Sequence, residues 1–146
     1  MNGSNLYVAG TPVGSSSGTL QTINTTSLTA SSPMSISNGF HRNMRFTSNN
    51  HLYVGSVACT PSKNASTGMI RGCLSILDTG TGALQFPEFP PLRTSFDVTA
   101  IQPISGRTVV YVCEGGELDI FDGTGAFTPN QVDVVGKATD VVMIDP

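Results

Sequence analysis

Short apolar runs bounded by Gly, Asn, Asp and Ser follow one another along the whole chain, and three of them are alike. Leu6-Tyr7-Val8, Leu52-Tyr53-Val54 and Val110-Tyr111-Val112 each set an aromatic ring between aliphatic neighbours, the composition of short buried strands. A second family follows each triplet. Thr19-Leu20-Gln21-Thr22-Ile23-Asn24, Cys73-Leu74-Ser75-Ile76-Leu77-Asp78 and Glu117-Leu118-Asp119-Ile120-Phe121-Asp122 align without gaps, and each closes on Asn or Asp. Glycine-rich segments, Thr79-Gly80-Thr81-Gly82 and Gly123-Thr124-Gly125, come after the last two. There the Asp side chain can bond the following backbone and glycine supplies positive φ, so a chain reversal is predicted.

A third family, Asn43-Met44-Arg45-Phe46, Val98-Thr99-Ala100-Ile101 and Val141-Val142-Met143-Ile144, precedes the tyrosine triplet twice and ends the chain the third time. Ala83 to Phe89 and Phe127 to Val135 complete the set as outer strands interrupted by proline. Proline belongs on a sheet edge because it has no N–H for the ladder. No stretch holds a 3.6-residue apolar period across three turns, so no helix is predicted. The unit is four short strands, recurring at intervals of roughly 45 to 60 residues, which is the size and strand count of a β-propeller blade. Loops account for the uneven spacing. Gly55 to Gly72 is long where Glu114-Gly115-Gly116-Glu117 makes a tight turn.

The predicted fold is therefore all-β, with residues 1–146 forming a single β-propeller segment of about three four-stranded antiparallel blades. The blades fall at about 1–40, 41–92 and 93–136, with 137–146 as a closing first strand. On this reading the chain starts at the second strand of one blade and ends at the first strand of another. An open array leaves unpaired strand edges, and rings usually hold about four to eight blades. Closure can come from a second copy, as a six-blade homodimer with its two-fold axis along the channel, or from the remainder of a longer propeller chain.

The order of apolar strand, short turn, Leu-Tyr-Val, hairpin, Leu-x-Ile-x-Asp and Thr-Gly is similar to the YVTN-type β-propeller repeats of exported surface and periplasmic proteins. The likeness is to a repeat consensus and covers most of the chain. It departs from that family's Ser-Pro-Asp-Gly turn between the first two strands, which reads Thr47-Ser48-Asn49-Asn50 and Gln102-Pro103-Ile104-Ser105-Gly106 here. The resemblance implies a propeller fold and an extracellular or periplasmic setting. It carries over no catalytic residue, since such scaffolds serve many purposes.

Composition narrows the function classes. The chain is 38% apolar and only 12% charged, so hydroxyls and amides do most of the solvating, a surface that fits an exported all-β protein. The net charge is −3 and the seven Lys and Arg are scattered singly, which gives no footprint for nucleic acid or for membrane insertion. The N-terminal residues form neither a basic nor an apolar segment, so no signal peptide is read there. Of the three cysteines, Cys59 and Cys73 are the natural disulfide pair, closing a loop rich in Ser, Lys, Asn and Gly. The alternative is three buried thiols, and Cys113 beside Val110-Tyr111-Val112 is expected to be buried either way.

Candidate chemistry is sparse. Gly14-Ser15-Ser16-Ser17-Gly18 satisfies the nucleophile-elbow pattern but lies in a hairpin loop rather than between a strand and a helix. No phosphate-binding loop, dinucleotide fingerprint or paired-cysteine metal site occurs, so no catalytic residue, metal or cofactor is predicted. His51 is expected to cap a strand end at the surface, and Glu117 and Asp119 to face solvent. Aligning Phe46, Ile101 and Ile144 brings Arg42, Asp97 and Asp140 to one structural position at the mouth of the channel. The plainer reading of that position is an ion pair or a solvated rim. Loops entering the first strand and those between the second and third emerge on one face of a propeller, gathering Phe40-His41-Arg42, Pro91-Leu92-Arg93 and the insertion from Gly55 to Gly72. His41, Arg42, Arg71, Arg93, Asp97 and Asp140 are the candidate ligand or partner residues of that face. Asn2, Asn24 and Asn64 head glycosylation acceptor patterns.

Three functions follow as expectations. The first is a non-catalytic exported scaffold for protein interaction or self-assembly, its ring closed by a second copy. The second is a sugar or small-ligand binding module, and the third a fragment of a larger propeller hydrolase or lactonase.

Overall fold

A computed structural model describes residues 3–59, 71–85, 97–115, 117–122, 127–133, 136 and 138–144. The described residues form twelve β-strands and no helix, arranged as three antiparallel sheets. The first sheet joins β1 (Asn5–Gly10), β2 (Gly18–Asn24), β3 (Thr29–Ala30) and β4 (Met34–Ile36), the last two pairing side by side along β2. Pro33 stands between them, where a missing N–H interrupts the outer strand. The second sheet runs in chain order through β5 (Phe40–Phe46), β6 (His51–Cys59), β7 (Arg71–Asp78) and β8 (Leu84–Gln85). The third repeats that order with β9 (Val98–Pro103), β10 (Val109–Glu114), β11 (Glu117–Asp122) and β12 (Phe127–Asp133).

The three tyrosine triplets lie in β1, β6 and β10, and the second family in β2, β7 and β11. Turn chemistry is as local rules require. At the end of β7, Asp78 Oδ1 accepts from Gly80 N at 2.9 Å and Oδ2 accepts from the Thr81 hydroxyl at 2.8 Å. The Thr81 hydroxyl and the Gly80 N–H hold the Asp78 carboxyl below its ordinary pKa.

The sheets stack in series, and alternation along β6 shows how. Leu52 and Val54 face the first sheet, packing with Leu20, Ile36 and Leu77. Tyr53 faces the third, packing with Leu74, Ile76, Val98, Ile101, Val110, Val112 and Phe121. Period-two geometry thus supplies two cores from one strand, and β6 is buried on both faces. The Tyr53 ring meets Phe121 edge-on with centroids 6.1 Å apart, and its hydroxyl donates to the Asp122 carbonyl at 3.2 Å. Burial, with the Asp122 charge second, pushes the Tyr53 phenol far above its usual pKa. Gly55 continues the face that Tyr53 begins. A Cβ there would lie 2.9 Å from Val98 Cβ and closer still to Val98 Cγ1, so only glycine allows the sheets to approach this closely.

Two local expectations are corrected, at His51 and Asp119. Val141 to Ile144, expected as a strand completed from another copy or a longer chain, has no ladder partner among the described residues. The segment instead lies over the outward face of the third sheet. Ala138 O accepts from the Thr99 hydroxyl at 2.8 Å, and Asp140 O lies 3.9 Å from the buried thiol of Cys113. His51 is buried rather than superficial, its Nδ1 3.0 Å from Asn49 O and its backbone locked to the Thr47 hydroxyl. Asp119 is buried too, in the middle of the third sheet. The outer-strand residues 86–89, the loop residues 60–70 and the sites at Asn2 and Asn64 lie outside the described residues.

Candidate ligand and partner face

The start of β5 and the bulged end of β6 build one end of the second sheet. Gly39 takes φ 101° and leaves no room for a side chain, since a Cβ would sit 3.3 Å from Cys59 Cα. The ladder shifts register between His41 and Asn43 in β5 and between Ser56 and Cys59 in β6, and Ala58 in the second bulge has φ 56°. Such bulges re-aim side chains at sheet rims, and left-handed non-glycine residues persist only where their surroundings hold them. Two features hold this one. Asp97 Oδ1 accepts from Ala58 N at 3.1 Å, and a disulfide joins Cys59 to Cys73 with their Cα atoms 5.9 Å apart.

His41 anchors the strand to its neighbours. Its Nε2 lies 2.8 Å from the Ser37 carbonyl, an acceptor, so Nε2 is the donor. That Nδ1 is buried without a hydrogen-bond partner. The ring rests against Gly18, where an added Cβ would meet His41 Cε1 at 2.9 Å. Ser37 is held in turn by Ser75 of β7, its N donating to Ser75 Oγ at 3.2 Å. The Thr11 hydroxyl donates to Gly39 O at 2.9 Å, tying the first hairpin to the entry of β5.

Between the hairpin and β5 lies a cavity of about 660 Å³, walled by residues 9–15, by Asn38 to Arg42 and by Ala58. It places His41 and Arg42 in one wall and has Asp97 behind Ala58. Asp140 lies elsewhere, beside Cys113, with its Oδ1 accepting from Val141 N at 2.8 Å. Arg71 pairs with Cys59 through its backbone, and its side chain, like Arg93 as a whole, lies outside what is described. No ion pair joins Arg42 to Asp97 or Asp140 among the described residues. Gly39 and Ala58 escaped sequence reasoning, although the Asn38-Gly39 dipeptide carries a turn signal.

A second, smaller cavity of about 270 Å³ separates the outward face of the third sheet, at Ile104, Val109, Tyr111 and Leu118, from Val141 to Met143. Cys113 nearby is a free buried thiol whose pKa is raised by burial and, secondarily, by Asp140 and Asp119. A raised pKa leaves little thiolate, which is the reverse of an activated nucleophile. In the first hairpin, Ser15 Oγ donates to Ser17 O at 2.8 Å, and Ser16 is followed by β2 rather than by a helix, so the elbow pattern lacks its structural context. Among the described residues no three His, Cys, Asp or Glu side chains converge as a metal site, and no helix is long and apolar enough to cross a membrane. A scan against protein-family models and a search of the curated proteins found no match. The class that fold and site define is an all-β chain of three stacked antiparallel sheets with a walled cavity at one end.

Proposed function

We propose that the three sheets are blades of a β-propeller and that the chain is a non-catalytic scaffold whose ring closes through a second copy. Four strands in meander order in the second and third sheets, and a strand β6 buried on both faces between its neighbours, support the blade reading. The observation that carries closure is a pair of unsatisfied elements. Among the described residues β1 pairs only with β2, whereas its counterparts β6 and β10 each have a first strand, β5 or β9, on the other side. Leu6 and Val8 on that edge are exposed. The segment from Val141 to Ile144 has the pattern of a first strand and faces the third sheet across the smaller cavity. It carries exposed Val142, Met143 and Ile144 and takes part in no ladder. Joining the two between copies would pair both backbones and cover both apolar sets.

The disulfide favours an oxidising, extracellular or periplasmic setting. The scaffold then acts through its rim loops and its assembly rather than through chemistry of its own. Light scattering of the folded chain tests the closure. A dimer that Val142→Asp with Ile144→Asp converts to folded monomer is expected. A folded wild-type monomer at about 100 μM would refute closure by a second copy and leave the missing strand to residues of a longer chain.

A further inference from the structure

We infer that the cavity between the first hairpin and the start of β5 binds a carboxylated saccharide, with Arg42 holding the carboxylate and Phe40 covering a sugar face. Both walls belong to one chain, so the inference does not depend on how the ring closes. At about 660 Å³ the cavity is within the range of small-molecule sites, which run from roughly 300 to 1,000 Å³.

Its chemistry selects the ligand. Arg42 is exposed and takes part in no ion pair among the described residues, in a chain whose net charge is −3. An uncommitted guanidinium presents a planar fork of donors that matches a carboxylate. It occupies the β5 bulge, which turns it out of the regular ladder. Phe40 is 67% exposed in the same wall, an unusual position for a ring that loses its hydration cost by stacking on an apolar surface. The remaining wall mixes backbone and the hydroxyl residues Thr11 and Ser15 with the apolar Pro12 and Val13, a lining that matches the alternating C–H faces and hydroxyl edges of a sugar.

The wall is also made rigid in advance. Gly39, the strained Ala58, its Asp97 cap and the Cys59–Cys73 disulfide fix the second-sheet side before any ligand arrives. Preorganisation of this kind lowers the ordering cost of binding.

The test is isothermal titration calorimetry of the whole chain with trigalacturonate, maltotriose and sodium acetate, with folding checked by circular dichroism. Trigalacturonate is expected to bind with Kd below ~1 mM, and maltotriose at least ~10-fold more weakly. Arg42→Gln should weaken trigalacturonate at least ~10-fold and Phe40→Ala several-fold, while Arg45→Gln, an exposed cation outside the cavity on the same strand, should leave it unchanged. Three results would overturn the inference. These are no binding of trigalacturonate by the folded chain up to ~10 mM, wild-type affinity in both Arg42→Gln and Phe40→Ala, and acetate binding as tightly as the trisaccharide.

Discussion

Gly55→Ala probes the stacking of the second and third sheets more directly than any other single change. The added methyl would lie 2.9 Å from Val98 Cβ and 3.3 Å from Ile101 Cδ1. Rotation about χ1 of Val98 moves its methyls but not its Cβ, which is fixed to the backbone of β9. Carbon atoms pack at about 3.5 to 4.0 Å, so the sheets must part locally by roughly 1 Å. Val98 and Tyr53 are both fully buried, so that separation opens gaps along a tightly filled seam. Overpacking of this kind costs about 1 to 3 kcal/mol, partly offset by the ~0.4 to 1 kcal/mol gained from a less flexible unfolded chain. For a chain of 146 residues the melting temperature should fall by several degrees, about 3 °C for each net kcal/mol. The chain has no tryptophan, so unfolding in urea is best followed by far-UV circular dichroism. Gly10→Ala is the control, since a Cβ there meets nothing within 4 Å and its φ is not positive. The decisive measurement is a double-mutant cycle with Val98→Ala, which removes the obstructing methyls. The two costs should fail to add by at least ~1 kcal/mol. A Gly55→Ala chain within ~0.5 kcal/mol of the parent, or strictly additive costs, would refute the close approach of these sheets.

Two further perturbations follow from the same geometry. Replacing Cys59 and Cys73 with serine removes a bridge between residues 14 apart and should lower stability by about 3 kcal/mol, read as a shift of the urea midpoint; an unchanged midpoint would count against the bridge. Tyr53 has a folded-state pKa raised above the unfolded value of about 10, so its contribution is complete below pH 10 and is lost as pH rises through that value toward the folded one. Tyr53→Phe should cost about 1 kcal/mol at neutral pH and flatten the alkaline loss of stability, and equal alkaline slopes in parent and variant would contradict the burial of the phenol.

The strands themselves were legible in the chain because their signals are local. Leu52-Tyr53-Val54 and Val110-Tyr111-Val112 announce strands by composition, and Asp78 before Gly80 announces the reversal by its own hydrogen bonds. The sequence left a Cys59–Cys73 bridge and three buried thiols both open, and the register of β6 and β7 decided between them by bringing the two Cα atoms to 5.9 Å. Tertiary structure decided the rest. His51 reads as a polar strand end, yet it is buried, with Asn49 O beside its ring and Thr47 satisfying its backbone. Asp119 alternates like a solvent-facing residue, but it stands on the same face of β11 as Phe121, opposite Val112, and is buried there. Val141 to Ile144 has the composition of a strand yet joins no ladder among the described residues, because a ladder needs a second backbone and composition in one segment cannot provide it. The cavity beside Arg42 belongs to the same category, assembled from three loops whose closeness depends on how the sheets pack. Period and turn chemistry act over a few residues and are written in the chain. Which face meets which neighbour depends on contacts between distant segments, and only the folded chain contains them.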